Sequence, residues 1–268
     1  MICCPCFSWR LLLKSVIVIP ARYESTRLPR KMLLAETGKS LIQHTYEAAS
    51  KSKLADAVIV ATDHADIAAA VTQFGGQVSM TDPGHVSGTD RVAEVAGKFD
   101  KLGLPDVEIV VNVQGDEPEI EGDAIDRLIQ SLAKNQDAAV STLATPILEK
   151  QLLSDSSCVK VVTGDNGRAM YFSRSQIPAV RDRDRIDELL QKTPPLFLQH
   201  VGVYAFRRQF LTKIPALPPS DLEQIESLEQ LRFLHAGWPI YVEIIENTSK
   251  GIDTSEDYAM FVKRASKR

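Results

Sequence analysis

The sequence predicts an α/β protein with a Rossmann-like, mostly parallel sheet and helices on both of its faces. Short runs rich in valine and isoleucine alternate with longer amphipathic segments through the first half of the chain. Because parallel strands covered on both faces are almost continuously apolar, this alternation indicates strands joined by helical crossovers. The second half is less regular, and a smaller inserted α+β subdomain is predicted there.

Each strand of the first half is a short run in which β-branched residues dominate. These strands are predicted at 16–19, 57–61, 77–80, 107–113 and 138–142. Amphipathic helices are predicted between them near 40–53, 64–74, 89–100 and 121–134. In the first helix, apolar or small side chains recur at i, i+3 and i+4 spacing from Leu41 to Ala49, as a buried helix face requires.

The second half begins with a predicted hairpin, strands 159–162 and 169–172 around a turn rich in glycine, aspartate and asparagine. A polar segment, 174–195, is predicted to be a mobile loop. Helices near 221–236 and 254–265 flank a strand at 240–244. The predicted organisation is therefore a disordered appendage over 1–14 and a single domain over 15–268, with the subdomain around 158–235.

Composition excludes some classes of function. The net charge is −4 and the sequence pI about 5.8, so no overall basic field exists to hold nucleic acid. The apolar stretch 11–19 is too short to span a membrane, which needs about 20 apolar residues. Three of the four cysteines crowd into residues 3–6 without a fourth zinc ligand at the usual spacing, and Cys158 stands alone. This distribution favours the reducing cytoplasm.

A basic loop, residues 20–31, directly follows the first predicted strand. Ligands of open parallel sheets bind beyond the carboxyl ends of the strands, so this loop lies where a ligand is expected. It carries Arg22, Arg27, Arg30 and Lys31, which a triphosphate site could use, although a solvated basic loop would have the same composition. It lacks the glycines of a P-loop, which argues against a Walker-type NTPase.

Two carboxylates lie where they could hold a hard cation. Asp116 follows the buried strand 107–113, and Mg²⁺ in proteins prefers one or two carboxylates together with phosphate oxygens. Asp253 precedes the last predicted helix. The alternatives are that Gly115 and Asp116 form only a turn, and that Asp253 or Thr254 caps the helix. Thr254 can cap while Asp253 binds metal.

Seven strings, taken together, resemble the signature motifs of sugar nucleotidyltransferases of the KDO-cytidylyltransferase branch, where KDO is 3-deoxy-D-manno-octulosonate. The strings run in the family's order through residues 16–265 and begin at residues 20, 61, 87, 112, 171, 199 and 228, with the Gly251–Asp257 string as a further match. The resemblance implies a fold of the nucleotide-diphospho-sugar transferase type. It implies a transferase that couples the cytidylyl group of CTP to KDO for lipopolysaccharide synthesis.

The resemblance also implies roles for individual residues. Arg22, Lys31 and Asp116 would be catalytic, and Asp116 and Asp253 would bind Mg²⁺. The implied nucleotide-binding residues are Arg22, Lys31, Thr62, Ser87, Gly88 and Thr89. The implied sugar-binding residues are Gln114, Arg174, Arg181, His200, Tyr204, Glu229 and Gln230. Taken singly, several have plainer explanations: Ser87 as a helix cap, His200 as a structural histidine, and Glu229 with Gln230 as an exposed helix face.

One position departs from the family. The family usually has glycine where this chain has Arg30. If that position requires a positive φ, arginine costs roughly 1 kcal/mol there, because its Cβ crowds the backbone.

The resemblance implies CTP and KDO as substrates and a homodimer, with neither nucleic acid nor membrane as partner. No residue is identified as a dedicated general base. A cytidylyltransferase for a related acidic sugar, 8-amino-KDO or sialic acid, is an alternative within the class. A non-catalytic nucleotide-sugar-binding domain is an alternative from another class, and it would not need both Asp116 and Asp253.

Overall fold

The structure, a computed structural model, describes residues 13–25, 27–246 and 251–267. Most of the appendage predicted over 1–14 therefore lies outside the described residues. Of its last two residues, Leu13 packs against the core and Lys14 begins the first strand. The predicted division into a main domain and a subdomain around 158–235 stays a prediction.

The strands found in these ranges form one mixed sheet, with the order β3-β2-β1-β4-β8-β5-β9 and the hairpin β6–β7 attached through β8. They are β1 Lys14–Ala21, β2 Ala57–Thr62, β3 Gln77–Met80, β4 Val107–Asn112, β5 Val140–Pro146, β6 Lys160–Thr163, β7 Ala169–Ser173, β8 Leu198–Arg207 and β9 Ile240–Ile244. Strands β3, β2, β1 and β4 are parallel, whereas β8 runs antiparallel to both β4 and β5. The predicted, mostly parallel α/β class is confirmed.

Helices cover both faces of the sheet. They are α1 Leu41–Ala49, α2 Ala65–Gln73, α3 Gly88–Gly97, α4 Gly122–Lys134, α5 Lys150–Ser154, α6 Ile186–Leu190, α7 Arg208–Leu211, α8 Asp221–Glu226, α9 Gln230–His235 and α10 Ser255–Ala265. Successive residues of β1 point to opposite faces: Val16 and Val18 pack with α3, while Ile17 and Ile19 pack with α1, α2 and α4. This alternation explains why β1 is apolar at nearly every position.

The strands and helices of the first half agree with the prediction to within a few residues, and so do the hairpin β6–β7 and the last helix. Two predictions for the second half are wrong. The helix expected over 221–236 is divided into α8 and α9, because Ser227 adopts a left-handed conformation with φ 52°. The predicted loop 174–195 contains α6, whose Ile186 and Leu190 are buried in a small third core with Phe197.

The parallel order brings four loops to one edge of the sheet. β1, β2 and β4 end there, followed by the described residues 22–25 and 27–30, by 63–64 and by 113–121. The loop before α10 joins them from the far end of the chain, because the amide of Ile252 donates a 2.9 Å hydrogen bond to the carbonyl of Asp116. The predicted basic loop and both predicted metal-binding carboxylates therefore share one edge.

A buried ion pair links α3 to the same edge of the sheet. Arg91 of α3 is fully buried, and its guanidinium lies 2.7 Å from Asp63 just beyond β2. It also donates to the hydroxyl of Thr81, which follows β3. A buried charge is tolerated only when it is paired, so this contact sets the position of α3 against the ends of β2 and β3.

Candidate active site

Lys31 lies between the two predicted metal-binding carboxylates. Its Nζ is 2.5 Å from Asp116 Oδ2 and 3.2 Å from Asp253 Oδ1, and it also donates to the carbonyl of Ile252 at 3.0 Å. The Lys31 side chain is only 11% exposed, against 45% for Asp253. The second carboxylate oxygen of Asp253 pairs with Arg27 at 3.1 Å. The structure thus brings together three predicted site residues from opposite ends of the chain.

Tight packing around Gly115 holds Asp116 in this position. A Cβ on Gly115 would lie 2.9 Å from the sulfur of Met32 and 3.0 Å from the carbonyl of Pro20, so a larger residue would push the loops apart. The Thr45 hydroxyl of α1 donates to the Gly115 carbonyl at 2.8 Å. On the other side, Thr254 forms a capping box with Asp257 at the start of α10, which leaves Asp253 directed at Lys31. The predicted cap is confirmed.

The two carboxylates are suited to a hard cation. Asp116 and Asp253 both approach one cationic atom, Lys31 Nζ, from different loops, so both carboxylates could reach one ion. Among the described residues, no group of three or more histidine, cysteine, aspartate or glutamate side chains is arranged so that it could hold a metal ion. Two carboxylates completed by phosphate oxygens are the donor set that Mg²⁺ prefers beside a nucleotide. The residues therefore fit the ion.

Arg30 adopts a left-handed conformation, with φ 54° and ψ 29°, so the condition under which arginine is strained at this position is met. Its guanidinium lies 5.4 Å from the ring centroid of Tyr23, and the Tyr23 ring stacks on His64 at 3.5 Å. A cation over an aromatic ring contributes about 0.5–1 kcal/mol at an exposed site. The contact therefore offsets part of the backbone strain, and it joins the basic loop to the end of β2.

We expect Arg30→Gly to be more stable than Arg30→Ala by about 1 kcal/mol. Both changes remove the guanidinium, but only glycine removes the Cβ that is strained at positive φ. Urea unfolding of the two variants measures this difference. Gly38→Ala is a matched control, because Gly38 has φ 86° and open space around its Cβ position. The free energy of unfolding of this variant should fall by a similar amount, about 1 kcal/mol. Equal stability of the two Arg30 variants would contradict this reading of the loop.

Three predicted nucleotide-binding residues, Ser87, Gly88 and Thr89, lie at the start of α3. Ser87 caps the helix and exchanges hydrogen bonds with Asp90, so the plainer role of Ser87 as a cap is also confirmed. A Cβ on Gly88 would lie 3.4 Å from Pro20 and 3.7 Å from Gln114 Oε1, so the start of the helix lies within van der Waals reach of both residues. Thr62 is fully buried at the end of β2. The start of α3 thus faces the loops that carry Lys31 and Asp116.

Glu229 connects this helix with the predicted sugar side. Its carboxylate accepts a hydrogen bond from Thr89 at 2.5 Å, and burial raises its pKa above the ordinary value. The next residue, Gln230, is 3% exposed, and its amide nitrogen has no hydrogen-bond partner in the described part of the chain. The alternative of an exposed helix face is therefore wrong. A buried amide without a partner is costly unless a ligand supplies one.

His200 and Tyr204 lie on β8, with their rings 5.4 Å apart. His200 Nε2 is 2.9 Å from the hydroxyl of Thr142, and burial lowers the pKa of His200 to about 3. The imidazole is therefore neutral near pH 7. Burial, followed by the charge of Glu229, raises the pKa of Tyr204 above its ordinary value. Both side chains are hydrogen-bonding groups rather than charges near neutral pH.

The Arg174 side chain forms hydrogen bonds with the backbone at the end of α8. Its guanidinium donates to the carbonyls of Glu226 at 2.7 Å and Ser227 at 3.3 Å, and to that of Ser156 at 3.0 Å. These bonds engage all three nitrogens of its guanidinium, and its predicted role in sugar binding stays a prediction. Arg22 and Arg181 are exposed and form no ion pair within the residues described.

The sequence interpretation missed three contacts. Arg27 was placed in the basic loop without a partner, and the structure pairs it with Asp253. The pair Arg91–Asp63 is signalled only by a charged residue on the apolar face of α3. The fully buried Asn112 has an amide nitrogen without a partner in the described ranges, and its oxygen lies 3.5 Å from Gln114 Nε2. A buried polar residue at the end of an apolar strand was the available signal.

A separate cleft of about 910 Å³ lies at the other end of β4. It is lined by Leu13, Asp106, Arg207 and Arg208 among others, and it contains no predicted site residue. Ion pairing satisfies Arg208 through Asp100, and three backbone carbonyls satisfy Arg207. This cleft adds nothing to the candidate site. In the described residues, no helix is long and apolar enough to cross a membrane.

The chain is similar in sequence to known proteins. The sequence model of the family described as Cytidylyltransferase matches residues 16–246. A protein from Rhodopirellula baltica named 3-deoxy-manno-octulosonate cytidylyltransferase is 48% identical over 252 residues, which cover 94% of this chain and 98% of that protein. A protein of the same name from Geotalea uraniireducens is 44% identical over 257 residues, covering 95% of this chain and 100% of that protein.

Two solved structures are similar to this chain in fold. The structure of CMP:2-keto-3-deoxy-manno-octonic acid synthetase complexed with CTP has a TM-score of 0.85 and 40% identity, over 95% of this chain and 99% of that one. The structure of 4-diphosphocytidyl-2C-methyl-D-erythritol synthase from Anaerococcus prevotii has a TM-score of 0.62 at 16% identity, over 96% of this chain and 100% of that one. The second likeness concerns the fold alone.

Proposed function

The chain belongs to the 3-deoxy-manno-octulosonate cytidylyltransferase family, and we propose on this basis that it transfers the cytidylyl group of CTP to KDO and releases pyrophosphate. The observation that carries the proposal is the meeting of Lys31, Asp116 and Asp253 at the sheet edge where a nucleotide is expected. In the reaction, the C2 hydroxyl of KDO attacks the α-phosphorus of CTP. The bond from that phosphorus to the pyrophosphate oxygen breaks, and the proton of the hydroxyl is released to solvent.

Catalysis of such a transfer depends mainly on positioning the reactants and on stabilising charge on the phosphate oxygens. We assign Lys31 and Arg22 to the triphosphate, where their charges stabilise the transferred phosphate and the leaving pyrophosphate. Asp116 and Asp253 would hold Mg²⁺, which supplies charge neutralisation at the phosphate oxygens. Ser87, Gly88 and Thr89 at the start of α3, and Thr62 at the end of β2, would contact the nucleoside and phosphates.

The acceptor would bind on the β8 and α9 side of the site. Its carboxylate and hydroxyls would contact Gln114, Arg174, Arg181, His200, Tyr204, Glu229 and Gln230. Burial lowers the pKa of His200 to about 3, so its imidazole is neutral near pH 7 and would orient the sugar by hydrogen bonding. The buried amide of Gln230 gains a partner when a sugar oxygen reaches it.

The test is pyrophosphate release from the purified protein with CTP, Mg²⁺ and KDO, together with mass spectrometry of the product. CMP-KDO is expected, with no release when ATP replaces CTP or when a chelator removes Mg²⁺. Parallel assays with 8-amino-KDO and sialic acid test the alternatives within the class. Binding of CTP without pyrophosphate release with any of the three acids would favour a non-catalytic nucleotide-sugar-binding domain instead.

Three broader assignments also rest on the family. We place the enzyme in the cytoplasm, as a homodimer that supplies activated KDO for lipopolysaccharide synthesis. The buried, unpaired thiol of Cys158 is compatible with a reducing compartment. Light scattering after size-exclusion chromatography tests the dimer, and cell fractionation tests the compartment.

We expect Arg174→Ala to raise the KM for KDO by about tenfold and to leave CTP affinity close to normal. Alanine removes the charge and also releases the carbonyls of Glu226 and Ser227, which lie three and two residues before Glu229. KDO kinetics and CTP calorimetry on the same variant measure the two effects. Arg185→Ala is the matched control, because it removes an exposed arginine paired with Glu188. A fall in CTP affinity with unchanged KDO saturation would assign Arg174 to the nucleotide.

A further inference from the structure

The Lys31 ammonium lies at the point where the candidate metal-binding oxygens meet. Asp116 Oδ2, Asp253 Oδ1 and the Ile252 carbonyl all lie within 3.2 Å of its Nζ. These oxygens come from two loops, and the Ile252–Asp116 backbone hydrogen bond holds the loops together. The ammonium therefore already provides a positive charge at the oxygens that a divalent cation would use.

An ammonium and a divalent cation cannot share this position. Their charges repel over a few ångströms, and each would draw on the carboxylates of Asp116 and Asp253. The remaining oxygen of Asp253 is held by Arg27, so the two carboxylates face two cationic side chains. A bare divalent cation must therefore displace the ammonium from a place where the lysine side chain is only 11% exposed.

Lys31 is well suited to exchange partners. A lysine carries its charge at the end of a flexible four-carbon stem, and its three donors can turn toward new acceptors. The phosphates that we assign to Lys31 would offer such acceptors close to the same carboxylates. A nucleotide could then draw the ammonium away while its phosphate oxygens complete the coordination of the cation.

We propose that Lys31 is the internal counter-cation of Asp116 and Asp253, and that it exchanges these carboxylates for nucleotide phosphates as the metal enters. The proposal rests on the assignment of the metal and nucleotide sites under the proposed function. Its consequence is that the metal binds weakly by itself and enters together with the nucleotide. Lys31 thereby couples two binding events, besides contacting the phosphates.

The experiment is a Mn²⁺ titration of the full chain without nucleotide, followed by electron paramagnetic resonance of the free ion. Lys31→Met keeps the length of the stem and removes the charge, so we expect it to bind one Mn²⁺ at least tenfold more tightly than the wild type. Lys31→Arg keeps the charge and should remain as weak as the wild type. Lys39→Met is the matched control, because Lys39 pairs with Glu47 and makes no contact with the two carboxylates in the described structure.

Thermal unfolding gives a second readout. In a chelator, Lys31→Met should unfold at a lower temperature than the wild type, because the two carboxylates then lack a nearby ammonium. Mn²⁺ should raise the unfolding temperature of Lys31→Met by more than that of the wild type. If Lys31→Met does not fold, the wild type and Lys31→Arg still test the proposal, since tight Mn²⁺ binding by either without nucleotide contradicts it.

Mn²⁺ binding by Lys31→Met that is no tighter than in the wild type overturns the proposal. This outcome differs from failure of the proposed function, which would appear as absent pyrophosphate release by the wild type with CTP, Mg²⁺ and KDO. A wild type that makes CMP-KDO while both proteins bind Mn²⁺ equally would retain the function and reject the exchange.

Discussion

Asp116→Asn is expected to keep the fold and to lower cytidylyl transfer by about 10²-fold or more. The amide preserves the shape of the side chain, and the backbone carbonyl that accepts from Ile252 is unchanged. What disappears is the negative charge 2.5 Å from the Lys31 ammonium. Without it, Asp253 would hold Mg²⁺ alone, and it is the more exposed carboxylate.

Steady-state pyrophosphate release, with circular dichroism as the check on folding, measures this prediction. Asp123→Asn is the matched control: Asp123 forms an exposed ion pair with Lys53, and both side chains are 76% exposed. Its activity should stay close to that of the wild type, because exposed pairs contribute little. Asp116→Asn with near wild-type turnover would remove Asp116 from the metal site.

Lys31→Ala is expected to lower turnover by about 10²-fold while weakening CTP binding much less. In the ground state, Arg22 and Arg27 remain in the same loop to hold the triphosphate. The charge that develops on the transferred phosphate and on pyrophosphate loses its nearest ammonium partner. A group that acts mainly in the transition state lowers kcat and leaves the substrate affinity largely intact.

Calorimetry of CTP binding and the kcat of pyrophosphate release separate these two effects. Lys39→Ala, which removes a lysine paired with Glu47 outside the site, should change neither. An effect confined to the KM for CTP would make Lys31 a uniform binding contact. The transition-state assignment would then be withdrawn.

Periodicity in the sequence predicted most of the local structure. The strands and helices of the first half were predicted to within a few residues because apolar side chains repeat there at strand or helix spacing. The same patterns failed over 221–236, where the left-handed Ser227 ends α8 inside a continuous helical pattern. They also failed over 186–190, because a five-residue helix with two buried residues leaves too short a pattern to recognise.

Strand β8 shows a different limit. Its ten residues mix glycine, histidine and glutamine with apolar residues, so no strand was predicted there. Its position between β4 and β5 makes it a strand, because both neighbours satisfy its backbone hydrogen bonds. That pairing places His200 and Tyr204 beside the site.

The sequence by itself determined the fold class, the basic loop after β1 and the carboxylates at Asp116 and Asp253, because local patterning and motif strings carry that information. Only the tertiary structure decided which charges meet. Lys31 lies between Asp116 and Asp253, Arg27 holds the second oxygen of Asp253, and Arg91 is buried against Asp63. These pairs join residues far apart in the chain, and their formation depends on the packing of the whole sheet edge. No local pattern records that packing.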